Sequence, residues 1–203
     1  MRAPIDAIKP VPAAIEHAGY VVVQNFLGGR ACAALATECR ALHAGGQLQP
    51  AATGRVRSRR EHGATRGDHT SWFEPSALAA AQKPYWQAMD ALRVELNRDL
   101  LLGLDELEAH YALYPPGARY ARHRDRFRDD DARVLSSVLY LNRDWRTETG
   151  GQLRLYLPQN PHVDIYPTAG TLVLFLSAEF DHEVLLATRE RLSVAGWFRR
   201  RAP

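Results

Sequence analysis

Hydrophobic positions in the first half of the chain recur at the spacing that is typical of helices. In the longest example, residues 84–102, apolar side chains return every three or four positions and the pattern stops at Gly103. A shorter helical pattern likewise ends at a glycine, Gly19. The chain is therefore predicted to begin as mixed α and β structure. The predicted helices cover residues 11–18, 31–43 and 84–102, and a predicted strand covers residues 20–26.

Beyond residue 107 the spacing of hydrophobic positions changes to two, which is typical of strands. Turn-forming residues such as Pro115-Pro116-Gly117 separate the short apolar runs. Such a series predicts a sandwich or barrel, and we expect an α+β fold with a jelly-roll (double-stranded β-helix) core and N-terminal helices packed on one outer face. The predicted strands cover residues 109–114, 120–125, 133–141, 152–157, 163–166, 171–176, 182–185 and 192–198.

The length of 203 residues favours a single domain. We expect residues 1–103 to provide helical support and an entrance loop, and residues 104–203 to form the jelly-roll core. The polar, arginine-rich and glycine-punctuated segment 47–76 is too long for a plain connector in a compact domain. Loops of that length are usually functional or disordered.

Composition narrows the cellular setting. No apolar run reaches the length of a membrane span, and the N-terminus lacks the apolar core of a signal peptide, so we expect a soluble cytoplasmic protein with no membrane partner. The net charge of +3 identifies no partner, although 24 of the 26 basic residues are arginine, the side chain that binds carboxylates bidentately. Cys32 and Cys39 lie seven apart in a predicted helix and are interpreted as packing thiols.

The first candidate for chemistry is the run Arg122-His123-Arg124-Asp125. In a strand, side chains two apart share a face, so His123 and Asp125 are predicted to face the barrel interior while the two arginines face outward. A His-x-Asp pair is common by chance. A metal site therefore requires a third ligand.

His182 is the best candidate for that ligand, because it begins a predicted strand just after the apolar run 172–176. Two histidines and one carboxylate on neighbouring strands form the facial triad of non-haem Fe(II) oxygenases, which leaves three metal positions open. Zinc hydrolases use the same ligand types, so the triad alone does not identify the reaction.

Arg191 is predicted to point into the same interior, since period two places it on one face with Ser193, Ala195 and Trp197. A buried arginine requires an anionic partner. One interpretation is a structural ion pair with a neighbouring carboxylate, Glu183 or Glu190. The other is a dicarboxylate cosubstrate whose far carboxylate is bound in a two-bond fork, while its 2-oxo acid end chelates iron.

Several segments in chain order resemble the 2-oxoglutarate- and Fe(II)-dependent prolyl hydroxylases. The closest likeness is to the branch that contains the hypoxia-inducible-factor prolyl hydroxylases and their bacterial relatives. The likeness runs from about residue 66 to residue 198. The segments that carry it are residues 66–72, 120–125, 140–145, 150–154, 182–184 and 191–197.

The resemblance implies a role for each matching residue. It assigns His123, Asp125 and His182 to iron and Arg191 to the distal carboxylate of 2-oxoglutarate. Tyr140 matches a tyrosine that assists this carboxylate, and Tyr114 lies near the position of a pocket-wall tyrosine. Ala195 departs from the family, where a hydroxyl residue is common. The residues matched to the substrate entrance are Arg66, Asp68, Tyr120, Arg133 and Trp197, with Asp68 expected to contact Arg133 or the substrate backbone.

The same resemblance implies the activity: hydroxylation of a prolyl residue in an intracellular protein, with Fe(II), 2-oxoglutarate and O₂, supported by ascorbate, and with release of succinate and CO₂. The expected partner is a proline-containing protein or peptide, and a translation factor is the target suggested by the bacterial branch.

Other functions remain open at this stage. A nucleic-acid demethylase or a small-molecule hydroxylase would use the same cofactors, and a peptide-binding barrel would lack turnover. Basic stretches at residues 55–60, 119–128 and 199–201 favour nucleic acid, but acidic residues interrupt the second stretch, so nucleic acid is not the expected partner. The Arg66-Gly67-Asp68 tripeptide is also found in integrin ligands, a function that does not fit a cytoplasmic chain.

Overall fold

The computed structural model describes residues 8–51, 66–125, 132–159 and 161–201. Within these ranges the helices are α1 (Val11–Ala18), α2 (Gly29–Ala44) and α3 (Lys83–Leu100). The strands are β1 (Tyr20–Val23), β2 (Gln49–Pro50), β3 (His69–Trp72), β4 (Leu104–Tyr114), β5 (Tyr120–His123), β6 (Arg133–Tyr140), β7 (Leu153–Leu155), β8 (Val163–Ile165), β9 (Leu172–Leu176), β10 (His182–Val184) and β11 (Arg191–Arg200). Single 3₁₀ turns lie at Pro75–Ala77 and Thr147–Thr149.

The strands form two sheets. A seven-stranded sheet has the order β1-β9-β6-β11-β4-β3-β2, and a four-stranded sheet has the order β5-β10-β7-β8. The pairs within both sheets are antiparallel. Sequence-distant strands lie side by side in both, as a jelly roll requires. The predicted α+β fold with a jelly-roll core is confirmed.

The helices pack on the outer face of the seven-stranded sheet. Fully buried side chains of α3, such as Leu92, share one apolar cluster with Leu135 and Phe198 from the sheet. Cys32 and Cys39 of α2 are buried in the same cluster as free thiols, in agreement with their interpretation as packing residues. A second cluster fills the space between the two sheets, and the polar site lies at its edge.

Several element boundaries differ from the prediction. Strand β4 begins at Leu104, five residues before the predicted start. The prediction began too late because the first residues of the strand include exposed acidic side chains and lack an apolar alternation. The apolar spacing of residues 84–102 predicts that Trp86 lies on the buried face of helix α3, whereas in the structure Tyr85 and Ala88 are buried and Trp86 is only partly buried. The helix ends at Leu100, and Leu101 rather than Gly103 takes the left-handed cap conformation. None of the helices in the described ranges has the length and apolar character needed to cross a bilayer.

Candidate functional site

Two histidines face each other across neighbouring strands of the smaller sheet. His123 ends β5 and His182 begins β10, and the two are direct partners in the ladder. Asp125 follows two residues after His123, just past the end of its strand. Its Oδ1 lies 3.5 Å from Nε2 of His123, and its Oδ2 lies 3.5 Å from Nε2 of His182. The three ligand atoms lie within 4.8 Å of one another, so the predicted ligand set comes together, although β5 ends at His123 and not at the predicted residue 125.

Hydrogen bonds on the far side of each ring orient the histidines. Nδ1 of His123 donates to the carbonyl of Ala121 (2.8 Å), and Nδ1 of His182 donates to the carbonyl of Phe180 (3.3 Å). Donation from Nδ1 leaves Nε2 unprotonated and directed toward Asp125, as metal-ligating imidazoles require. Burial lowers the pKa of His182 to about 4, so this ring is neutral at physiological pH.

The carboxylate of Asp125 is held in its ionised form. Burial alone would raise its pKa, but the positive charge that His182 and His123 carry when protonated, together with the hydrogen bond from the hydroxyl of Ser136, holds the pKa of Asp125 well below the usual range. Ser136 donates to Oδ2 over 2.7 Å and lies 2.9 Å from the hydroxyl of Ser177. Two imidazole nitrogens and one carboxylate oxygen are a set that suits Fe(II).

Arg191 is buried between the sheets at the other end of the site, with 1% of its surface exposed. Its Nε donates to the carbonyl of Gly151 (2.8 Å) and its Nη1 makes a long contact with Ser193 (3.4 Å). Its guanidinium carbon lies 5.1 Å from the ring centres of both Tyr114 and Tyr140. The structure thus brings together the three residues that the resemblance assigned to 2-oxoglutarate.

Two buried donors in this pocket have no hydrogen-bond partner within the described part of the chain: Nη2 of Arg191 and the hydroxyl of Tyr140. Burial raises the pKa of Tyr140 to about 12, so this hydroxyl keeps its proton at neutral pH. A cationic N–H and a neutral O–H left unpaired in an apolar site are costly, and a carboxylate would satisfy both. The residues therefore fit the distal carboxylate of a 2-oxo dicarboxylic acid.

The alternative of a structural ion pair for Arg191 is wrong. Glu190 instead pairs with Arg40 at 2.7 Å, and Glu183 accepts a hydrogen bond from Tyr156 at 2.6 Å. The hydrogen-bond partners of the Arg191 guanidinium in the described residues are Gly151 and Ser193, not these carboxylates.

A double-glycine turn shapes the wall of this anion pocket. Gly150 and Gly151 both have positive φ, 74° and 73°. A Cβ on Gly150 would lie 2.2 Å from the carbonyl oxygen of Leu186, and one on Gly151 would lie 3.0 Å from the Trp145 ring. Only glycine allows the backbone to approach this closely and to present the carbonyl that holds Arg191.

Beside the metal ligands, the predicted entrance residues form two groups. In the first, Arg66 makes a bidentate ion pair with the buried Asp68, at 2.7 and 3.0 Å. The Arg66 guanidinium lies 4.7 Å from the ring centre of Tyr120, which in turn stacks on His123 with ring centres 3.7 Å apart. In the structure the partner of the Asp68 carboxylate is Arg66, and Arg133 pairs with Glu108 instead, so of the two expected contacts of Asp68 the one with the substrate backbone stays a prediction.

The second group surrounds Trp197. The Arg133 guanidinium lies 3.7 Å above the Trp197 ring and donates to Glu108 at 2.8 Å. On the other side, Trp197 belongs to an aromatic cluster with His110 and Trp72, whose ring centres lie 5.6 and 6.1 Å from it. Trp72 is 54% exposed, whereas Trp197 and His110 are buried, so Trp72 supplies the open aromatic face of this cluster.

Three features of the site were not predicted from the sequence. They are the hydrogen bond of Ser136 to Asp125, the carbonyl of Gly151 that holds Arg191, and the place of His110 between two tryptophans. For Ser136 the cross-strand register could have given a signal, because it lies opposite Trp197 on the inward face of β11.

The basic stretches that favoured nucleic acid are only partly described. Residues 55–60 lie outside the described residues, as do residues 126–128 and residues 52–65 of the predicted entrance segment 47–76. Within the described part of residues 119–128, Arg122 and Arg124 are paired with Asp181.

Comparison with known proteins gives a consistent result. Residues 109–199 match the model of the 2OG-Fe(II) oxygenase superfamily. A crystal structure of a Pseudomonas putida prolyl-4-hydroxylase is 48% identical, with a TM-score of 0.87, over 96% of this chain and 100% of that one. A Trichoplax adhaerens prolyl hydroxylase, solved with a peptide fragment of the hypoxia-inducible factor oxygen degradation domain, is 27% identical, with a TM-score of 0.86, over 95% of this chain and 88% of that one.

Among curated proteins, the hypoxia-inducible factor prolyl hydroxylase of Caenorhabditis elegans is 30% identical over 89% of this chain. The match spans about a quarter (26%) of that longer protein. The full-length match to the Pseudomonas enzyme and the His-Asp-His cluster agree with the resemblance drawn from the sequence. The chain belongs to the 2OG-Fe(II) oxygenase superfamily and, within it, to the prolyl hydroxylases.

Proposed function

We propose that this protein hydroxylates a prolyl residue of a protein or peptide, with 2-oxoglutarate and O₂ as co-substrates. The observation that carries the proposal is the pair of unpartnered buried donors on Arg191 and Tyr140, in the same inter-sheet space as the His123, Asp125 and His182 cluster. A metal site alone is compatible with hydrolysis. A metal site with a buried anion pocket is what a dicarboxylate co-substrate requires.

The metal-binding residues would be His123, Asp125 and His182, which contribute two nitrogens and one oxygen. Fe(II) with 2-oxoglutarate supplies the activation of O₂ and the oxidation of a C–H bond, so that one oxygen atom enters the substrate and the other enters succinate as CO₂ is released. The remaining steps are positioning steps, performed by the side chains of this chain.

Arg191 and Tyr140 would bind and orient the co-substrate. The carbonyl of Gly151 fixes the guanidinium through Nε, and the unpartnered Nη2 is the donor available to a carboxylate. Because the pocket is lined by Tyr114 and Tyr140 and excludes water, the charge-assisted hydrogen bonds to a carboxylate are strong there. This geometry selects a dicarboxylate with its second carboxylate at a set distance from the metal.

The entrance residues would bind the polypeptide around the target proline. Tyr120 covers one face of His123, and the Arg66–Asp68 pair supports that ring from behind. Arg133 and Trp197, with the exposed Trp72, form the opposite surface. Aromatic rings pack well against the compact, apolar pyrrolidine ring of proline, so this surface suits a proline-containing segment.

The finer assignment of the target rests on the resemblance to bacterial relatives. We take an intracellular target, with a translation factor as the first protein to test. The helical part and the jelly roll would act as a single dioxygenase domain, since the apolar cluster on the outer face of the larger sheet contains residues of both.

The experiment is incubation of host proteins with the enzyme, Fe(II), 2-oxoglutarate and air, followed by peptide mass spectrometry. We expect the gain of one oxygen atom on a proline, with an equal amount of succinate formed. The Asp125→Ala variant is the matched control and is expected to give neither product. Succinate formation that is coupled to oxidation of a nucleic-acid base or a free small molecule, with no modified proline, would overturn the proposal.

A further inference from the structure

An ion-pair cluster on the outer face of the smaller sheet joins the two segments that carry the histidines. Arg122 donates to Oδ2 of Asp181 from Nε (3.1 Å) and Nη2 (2.8 Å). Arg124 donates to Oδ1 of the same carboxylate from Nε (2.9 Å). The two arginines flank His123, and Asp181 directly precedes His182. The carboxylate of Asp181, which is adjacent to His182 in the chain, is therefore bound by the two arginines that flank His123.

The main chain alone fixes this junction weakly. Strands β5 and β10 pair at His182 with His123 and at Val184 with Tyr120, and the register shifts between these two pairs. A ladder of such short length with an irregular step allows the strands to slide or separate more easily than a long regular one. The relative position of the two histidines thus depends on side-chain contacts in addition to backbone hydrogen bonds.

Further contacts extend the cluster on both sides. Arg124 also donates from Nη1 to the carbonyl of Ala178 (3.1 Å). The Arg122 guanidinium lies 3.8 Å above the ring of Tyr156, whose hydroxyl donates to Glu183 (2.6 Å) on the other side of His182. Asp181 and Glu183, the two neighbours of His182, are consequently both held by hydrogen bonds on the outer face of the sheet, while the ring of His182 points inward.

We propose that Arg122, Asp181 and Arg124 form a clamp that sets the separation of His123 and His182 and thereby raises the affinity of the site for a divalent metal ion. The three are positioning residues, because they touch neither the ligand atoms nor the substrate. The inference rests on the proposed metal site.

The direction of the change in metal affinity distinguishes a clamp from a purely long-range electrostatic effect of the same charges. Removal of a positive arginine near a cation site strengthens cation binding if only the long-range field matters. Removal of the negative Asp181 has the opposite effect on the field. Loss of the clamp weakens metal binding in both cases, because the histidines lose their fixed spacing. Arginine variants therefore distinguish the two explanations by direction.

The test is Mn(II) binding by the metal-free protein, followed through the EPR signal of the free ion. The variants are Arg122→Met, Arg124→Met, their combination, and Asp181→Asn. Arg154→Met is the matched control, because it removes a bidentate pair with Asp164 from the same face of the sheet without touching Asp181. The unfolding midpoint of each variant is measured in parallel. If the double variant has a lower unfolding midpoint than the parent protein, the affinities of the two single arginine variants are compared instead.

We expect the double arginine variant and Asp181→Asn each to bind Mn(II) about threefold to tenfold more weakly, with Arg154→Met within a factor of about two of the parent protein. High salt, which screens the exposed clamp, should weaken binding by the parent protein more than by Asp181→Asn. Arginine variants that bind as tightly as the parent, or more tightly, would overturn the clamp and leave the metal site intact. Failure of the parent protein to bind Mn(II) would overturn the proposed metal site itself.

Discussion

The guanidinium of Arg191 and the ring of Tyr140 lie side by side between the two sheets, 5.1 Å apart, and each carries a buried donor without a partner in the described residues. Folded proteins rarely leave such groups unsatisfied, since each costs about 1–3 kcal/mol. The pair is therefore organised for a ligand rather than for the stability of the fold.

Arg191→Met should weaken 2-oxoglutarate binding by about a hundredfold or more, and Tyr140→Phe by about tenfold, because the first removes a charge-assisted fork and the second one hydrogen bond. Calorimetric titration of the Mn(II)-loaded protein without O₂ measures both. Mn(II) affinity in the absence of 2-oxoglutarate should stay unchanged. Equal 2-oxoglutarate affinities in all three proteins would show that Arg191 has a structural role.

Ser136→Ala should weaken Mn(II) binding by about tenfold, since the hydroxyl that orients Oδ2 of Asp125 is lost. Ser137→Ala provides the comparison, because the hydroxyl of Ser137 is buried and has no hydrogen-bond partner among the described residues. EPR titration with Mn(II) distinguishes the two, and a similar loss in both variants would argue against a specific role for Ser136.

Gly151→Ala should lower the free energy of unfolding by about 2–4 kcal/mol, because the new methyl group requires an unfavourable positive φ and lies 3.0 Å from Ala187 and Trp145. It should also weaken 2-oxoglutarate binding, since its carbonyl holds Arg191. Gly46→Ala has nearly the same φ (71°) in open space and isolates the backbone cost of about 1–2 kcal/mol. Chemical denaturation compares the two, and equal losses would contradict the packing argument.

His110 should make the metal-free protein less stable in acid. Burial lowers the pKa of His110 to about 4 from an ordinary 6.5, so the unfolded chain binds a proton more readily than the folded one between these values. Its contribution is complete above about pH 6.5 and decreases as the pH falls toward 4, by about 3 kcal/mol in total. Urea denaturation from pH 7 to pH 4 should show a smaller loss of stability for His110→Gln than for the parent protein. Parallel curves would contradict this.

The sequence predicted the ligand set from the spacing of His123 and Asp125 and from the strand that begins at His182, although strand alternation extends only to His123, where β5 ends. The resemblance, rather than the pattern, supplied Tyr140 and Tyr114. The contact of Ser136 with Asp125 was missed because a serine in an apolar strand has no local feature that identifies a partner eleven residues away. Asp181 was missed for the same reason: its two arginine partners lie on a strand nearly sixty residues earlier.

The predictions of the buried face of α3 and of the start of β4 were wrong because the local sequence patterns were ambiguous. The aromatic pair Tyr85-Trp86 allows two helical faces, and only packing against the sheet selects Tyr85 as the buried one. The early residues of β4, including Asp105 and Glu106, are exposed on a sheet edge region and so lack an apolar alternation. In both cases tertiary contacts, which the local sequence does not encode, decided the structure.

We propose that His123, Asp125 and His182 bind Fe(II) while Arg191 binds 2-oxoglutarate beside it. The most direct measurement is the visible metal-to-ligand charge-transfer band formed when Fe(II) and 2-oxoglutarate are added to the protein without O₂. We predict this band in the parent protein, its loss in His123→Ala and in Asp125→Ala, and its appearance in Arg191→Met only at much higher 2-oxoglutarate concentrations. A parent protein without the band, or a band retained in both ligand variants, would contradict the account.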